Sequence, residues 1–239
     1  MIEERRKILQ SLIFPAILVL IMWIVKLIEI TFNIDLAVYG LIPLKARGLL
    51  GIITSPFLHQ GFPHLFGNSV PFLVLGGLLF YFYRELAWKV LILIYLITGF
   101  WVWVFARGTG IHIGASGIVN GVAAFLFLSG ILRHETKLMS ITLLIAFLYG
   151  GIVWGIFPQF FPLQNISWES HLMGLMAGAM LAIYYKKTGP QRIKYEWEDE
   201  DDNEDVHENE IENNPPDDIS QSRDSTGTSD ISYHYKKNP

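Results

Sequence analysis

The amino-acid sequence predicts an all-α, polytopic membrane protein: six transmembrane helices followed by a disordered acidic tail. Three observations predict this. The composition breaks near residue 195, where a stretch rich in Leu, Ile, Phe, Gly and Trp gives way to one dominated by Asp, Glu, Asn and Ser. The first stretch divides into apolar runs close to the roughly 20 residues that cross a hydrocarbon core about 30 Å thick. Basic residues gather at alternate ends of those runs, as the bias of cytoplasmic flanks towards Lys and Arg requires.

The runs are Ser11 to Ile30, His64 to Tyr83, Trp88 to Phe105, Ser116 to Leu132, Leu138 to Phe157 and Ser170 to Tyr185. The first is too long for a signal peptide and no small-residue cleavage site follows it, so it reads as an anchor. Arg5, Arg6 and Lys7 precede it, Arg84 and Lys89 lie between the second and third runs, Arg133 and Lys137 between the fourth and fifth, and Lys186 and Lys187 follow the sixth. Six crossings put all of these on one side, so both termini are expected in the cytoplasm; the expected location is the plasma (inner) membrane. Residues 1–195 then form one membrane domain. Residues 196–239 carry too few apolar side chains to offset the entropy of ordering, and form a solvated cytoplasmic tail.

Several classes of function are excluded or disfavoured. The chain has no cysteine, so thiol nucleophiles, disulfide scaffolds and cysteine-ligated metals are out. Gly117 directly follows Ser116, so the Gly-x-Ser-x-Gly elbow of soluble hydrolases is missing. His134-Glu135 lacks the second histidine of a zinc-protease helix. No metal or organic cofactor is expected, and the acidic tail argues against a nucleic-acid partner.

Polar side chains are costly within a bilayer, which makes their placement informative. His64 and Asn68, four apart, share a face at the start of the second helix; Ser116 opens the fourth and His171 the sixth. Even-numbered helices begin on the same, outer side, so these residues fall at about one depth. Gly117 and Gly121 form a small-residue stripe on the fourth helix, and Ser170, Gly174, Gly178 and Ala182 another on the sixth. Such stripes let helix backbones approach closely in lipid. Facing each other, they would bring Ser116 within reach of His171, which can take its proton. The free N–H groups at the start of the fourth helix, with Asn68 and His64, would offer donors to an oxyanion. Taken singly, Asn68 also reads as an interhelical hydrogen bond, Gly-Ala-Ser-Gly as packing and His59 as a residue orienting its loop.

HQGFPHLFGN followed by LGG, then GASG, then HLMGLMAG, in this order on six helices, resemble the rhomboid intramembrane serine proteases over about Arg47 to Tyr185. The resemblance implies a rhomboid-like bundle in its six-helix bacterial-type form and a serine endopeptidase that hydrolyses peptide bonds in or near transmembrane segments. Ser116 would be the nucleophile and His171 its base, with Asn68 and His64 as oxyanion donors and His59 as the loop histidine. Single-span membrane proteins reached through the lipid bilayer would be its substrates. The alternative is an inactive rhomboid-like protein that binds membrane clients. Two departures stand out: the family's Trp-Arg pair is not at its expected place, and Asn120 stands where an aromatic often packs beneath the base. Residues 33–63 read as a semi-apolar interfacial loop, and Phe157 to Leu163 as either a movable cap or an aromatic anchor.

Overall fold

The computed structural model describes residues 2–108, 110–133, 136–148 and 167–189. All regular elements among them are helical: α1 (Ile2–Thr31), α2 (Gly48–Thr54), α3 (Phe62–Phe82), α4 (Ala87–Phe105), α5 (Ser116–Leu132), α6 (Thr136–Leu148) and α7 (Trp168–Tyr184), with single 3-10 turns at Leu36–Tyr39 and Ser55–Phe57. The expected fifth run is described as far as Leu148. Its remainder, the Phe157 to Leu163 loop and the tail from 196 lie outside the described residues.

α1, α3 and α4 are long and apolar enough to cross a membrane, and α5 is a shorter apolar helix. α1 begins well before the apolar run at Ser11, because its charged first turns are helical too: Lys7 Nζ lies 3.5 Å from Glu4 Oε1, one turn away. On the same helix Ile13, Ile17, Leu20, Ile24 and Leu27 are 45–58% exposed. A row of aliphatic side chains facing outward is ill suited to water, and hydrocarbon is its natural cover.

Buried side chains of α3, α4, α5 and α7 meet in one core that includes Phe72, Leu79, Ile94, Val122, Phe125 and Leu181. Among the described elements, α5 and α7 make the most extensive contact. Their glycines face each other as the sequence stripes require. A Cβ added at Gly174 would overlap the Gly117 carbonyl oxygen and stand 2.8 Å from its carbonyl carbon, and one at Gly178 would meet Gly121 in the same way. Without side chains between them, the two backbones are in direct van der Waals contact.

The segment between α1 and α3, read from sequence as a loop, is largely folded. α2 sits directly on the backbone of residues 40–42, since a Cβ at Gly48 or Gly51 would overlap the Ile42 or Leu41 main chain. The Leu44 N–H donates to the Trp103 carbonyl at 3.0 Å, and Trp103 Nε1 donates to the Lys45 carbonyl at 3.0 Å. These bonds fasten the segment to α4. At the opposite end of the bundle buried Arg133 donates to the carbonyls of Tyr185 (2.6 Å) and Thr188 (2.8 Å), capping α7, while its guanidinium lies 5.0 Å from the Tyr83 ring centre.

Candidate active site

Ser116 is the first residue of α5 and is half-buried. The residues before it set its surroundings. Gly114 has φ +104°, a conformation that a side chain would strain. Its N–H donates to the Ser55 carbonyl at 2.8 Å, and a Cβ there would stand 2.6 Å from His64 Nε2 and 3.3 Å from Asn68 Nδ2. Only glycine lets this turn press against both side chains of α3. Asn68 is 5% exposed, and its Nδ2 is buried without a hydrogen-bond partner. An unpaired buried amide donor is costly unless something else uses it.

Gly117, one residue beyond Ser116, faces α7: a Cβ there would lie 3.0 Å from the Ser170 carbonyl oxygen and 2.9 Å from Thr98 Cγ2. His171 follows Ser170 in the first turn of α7 and is buried. The glycine seam thus seats the start of α7 against the start of α5, with the neighbours of the serine and the histidine in backbone contact. Asn120, at the position of the family's aromatic, is buried and donates its Nδ2 to the Ser116 carbonyl at 2.8 Å.

His59 lies in the segment before α3, 3% exposed, with its ring 5.1 Å from that of His64 in an edge-on arrangement. Burial pushes its pKa down to about 4, the neighbouring His64 and Lys26 adding to the effect while the Phe57 carbonyl opposes it. It is therefore neutral at physiological pH.

Two features escape a reading of the sequence. Lys26 and Glu29, a pair inside the apolar run of α1, are both largely buried and 2.7 Å apart, and Lys26 Nζ also donates to the carbonyls of His59 (2.9 Å) and Gln60 (3.2 Å). The spacing of three within a greasy span was the available signal. The second is His112: its backbone pairs with Leu41 on both sides, and its Nδ1 bonds the Ser167 hydroxyl at 2.5 Å. Ser167 caps α7 by accepting from the Ser170 N–H. His112 thus links the turn before Ser116 to the helix that carries His171. Burial lowers its pKa, against a smaller opposing influence of Glu169. A small cavity lies behind this region, lined by Ser55, Thr98, His112, Gly114, Gly117 and Ser170 among others.

Comparison with known proteins gives the family. The Rhomboid domain model matches residues 46–188, which takes in α2 to α7 and leaves α1 outside. Uncharacterized proteins of Mycobacterium tuberculosis and Mycobacterium bovis are each 35% identical over 180 residues, covering 73% of this chain and 74% of theirs. One from Mycobacterium leprae is 30% identical over 178 residues, covering 72% of this chain and 69% of its own. A domain match over more than half of the chain, in the segment that holds His64, Asn68, Ser116 and His171, makes this protein a member of the rhomboid family.

Proposed function

We propose that this chain is an intramembrane serine endopeptidase that cleaves other membrane proteins, single-span ones above all, in or near their transmembrane segments. Ser116 is the nucleophile and His171 its base. The observation that carries the reading is the Gly114 turn: it holds the residue two before Ser116 against His64 Nε2 and the unpartnered Asn68 Nδ2, the donors an oxyanion needs.

In the reaction the His171 imidazole takes the Ser116 hydroxyl proton while Oγ bonds to the substrate carbonyl carbon. The carbonyl oxygen becomes negative and is met by Asn68, His64 and the first N–H groups of α5. As the C–N bond breaks, the histidine returns its proton to the leaving amine, and water then releases the acyl group by the same steps. The substrate helix hides its carbonyls in its own hydrogen bonds, so it must unwind locally before it reacts. Six crossings with both ends in the cytoplasm place the dyad towards the outer face, where water is available, and leave residues 196–239 as a cytoplasmic tail.

The test is labelling of the detergent-solubilised chain with a fluorophosphonate, which reacts with activated serines. Wild type should label and Ser116→Ala and His171→Ala should not. A folded wild type that stays unlabelled would overturn the reading and favour a client-binding rhomboid-like protein.

A further inference from the structure

The first helix stands outside the matched rhomboid segment, yet it is joined to the candidate site by a buried charge. Lys26 is 8% exposed. A buried ammonium is tolerated only where donors and charge are met, and this one is met on three sides: the Glu29 carboxylate at 2.7 Å and the His59 and Gln60 carbonyls at 2.9 and 3.2 Å. Glu29 uses its other oxygen to accept the Leu36 N–H at 3.2 Å, fixing the chain where it leaves α1. One turn earlier Trp23 donates Nε1 to the Ser69 hydroxyl at 3.1 Å, beside Asn68. One face of α1 therefore grips both ends of the stretch that carries His59, His64 and Asn68.

We propose that Lys26, held by Glu29, is a positioning residue: its ammonium fixes the backbone of residues 59–60 and thereby the placement of His59 and His64 against the Gly114 turn. Three features make this more than helix packing. The bonds go to backbone carbonyls of the segment itself, so they define its path. The segment is short, with four residues between His59 and His64, and the two rings are in edge contact. His64 Nε2 in turn stands against Gly114, two residues before Ser116. Among the described residues, the charged and titratable groups that bear on His59 are Lys26 from α1, itself paired with Glu29, and His64 from α3. The geometric claim stands on contacts alone; its effect on turnover rests on the protease reading above.

The experiment is NMR of the histidine side chains in the full chain, in detergent, with Lys26→Met and Lys26→Arg beside wild type. In Lys26→Met the His59 and His64 ring signals should shift, because the backbone of residues 59–60 loses its anchor. Lys26→Arg, which keeps charge and donors, should restore most of the wild-type pattern. On a transmembrane substrate, Lys26→Met should lower kcat between about tenfold and a hundredfold with KM little changed, as expected for a misplaced catalytic geometry. Unshifted rings in a folded Lys26→Met chain would overturn the proposal. Should that variant fail to fold, Glu29→Gln leaves the ammonium in place but without its carboxylate: shifted His59 and His64 rings would support the link, and wild-type rings would overturn it. If wild type itself proves unreactive towards a fluorophosphonate, the protease reading falls while the ring signals still decide what Lys26 does.

Discussion

Adding one methyl group to the seam between α5 and α7 should separate catalysis from folding. In Gly174→Ala the new Cβ would lie 2.8 Å from the Gly117 carbonyl carbon and 3.2 Å from its Cα, besides overlapping the carbonyl oxygen. Carbon atoms in contact prefer about 3.5–4.0 Å, so the helices must part by about 1 Å. All the crowded atoms are backbone, and no side chain can turn away to relieve them. Overpacking of this kind costs about 1–3 kcal/mol of stability. The effect on chemistry is larger in proportion, because Ser116 precedes Gly117 and His171 lies one turn before Gly174; a displacement of about 1 Å lowers turnover about a hundredfold. The assay is the rate of fluorophosphonate labelling and of cleavage of a transmembrane substrate, with a thermal melt on the same sample. Gly67→Ala is the control, since a Cβ at Gly67 meets nothing within 4 Å although its neighbour is Asn68. A Gly174→Ala chain that folds and reacts at the wild-type rate would refute the idea that the seam sets the spacing of the dyad.

Asn68→Ala should lower kcat by about 10²–10³-fold, the effect of losing one oxyanion donor, in a chain that still folds; an unchanged kcat would remove Asn68 from the reaction. Gly114→Ala should also slow turnover, because its Cβ would strike His64 Nε2 at 2.6 Å and its φ of +104° disfavours alanine. His59 has a pKa held near 4 when folded. The unfolded chain therefore takes up a proton first as pH falls, so the stability due to the neutral ring is complete above about 6.5 and drains away by about 4, amounting to about 3 kcal/mol. Thermal midpoints measured across that window should fall with pH in wild type and flatten in His59→Gln. Arg133→Met strips the Tyr185 and Thr188 carbonyls of their charged donor and should cost about 1.5–3 kcal/mol, read from the same melts, without a matching loss of labelling in the chain that remains folded.

The parts of the fold that repeat along the chain were legible in the sequence. Apolar runs mark where the helices lie, and the glycines at 117, 121, 174 and 178 announce their meeting, because a small-residue stripe has few uses in lipid other than close approach. Segments that depend on main-chain partners were not legible. α2 has seven residues, too few to show a helical period, and is held by the backbone of residues 40–42. Lys26 sits in a run whose average hydropathy hides it; only its pairing with Glu29 has a sequence spacing, while its other partners are carbonyl oxygens 33 and 34 residues away, which no side-chain pattern reveals. His112 lies in a glycine-rich turn that shows no pattern of its own, and only the fold places it beside Ser167, 55 positions later. Asn120 raised a question about what supports His171; its amide turns instead to the carbonyl of the serine.

The glycine seam also sets the order in which parts of this protein can come together during its own synthesis. The turn at Gly114 can settle on α3 once the first part of α5 has been made, so the segment that leads into Ser116 meets His64 and Asn68 early. Gly117 and Gly121, however, wait for glycines 57 residues further along the chain. A nascent protein stalled before α7 would expose a bare groove on α5 and would lack His171. On the proposed protease reading, reactivity would then arise in a single late step, as α7 inserts and closes that groove, and an unfinished chain would leave other helices emerging beside it uncut.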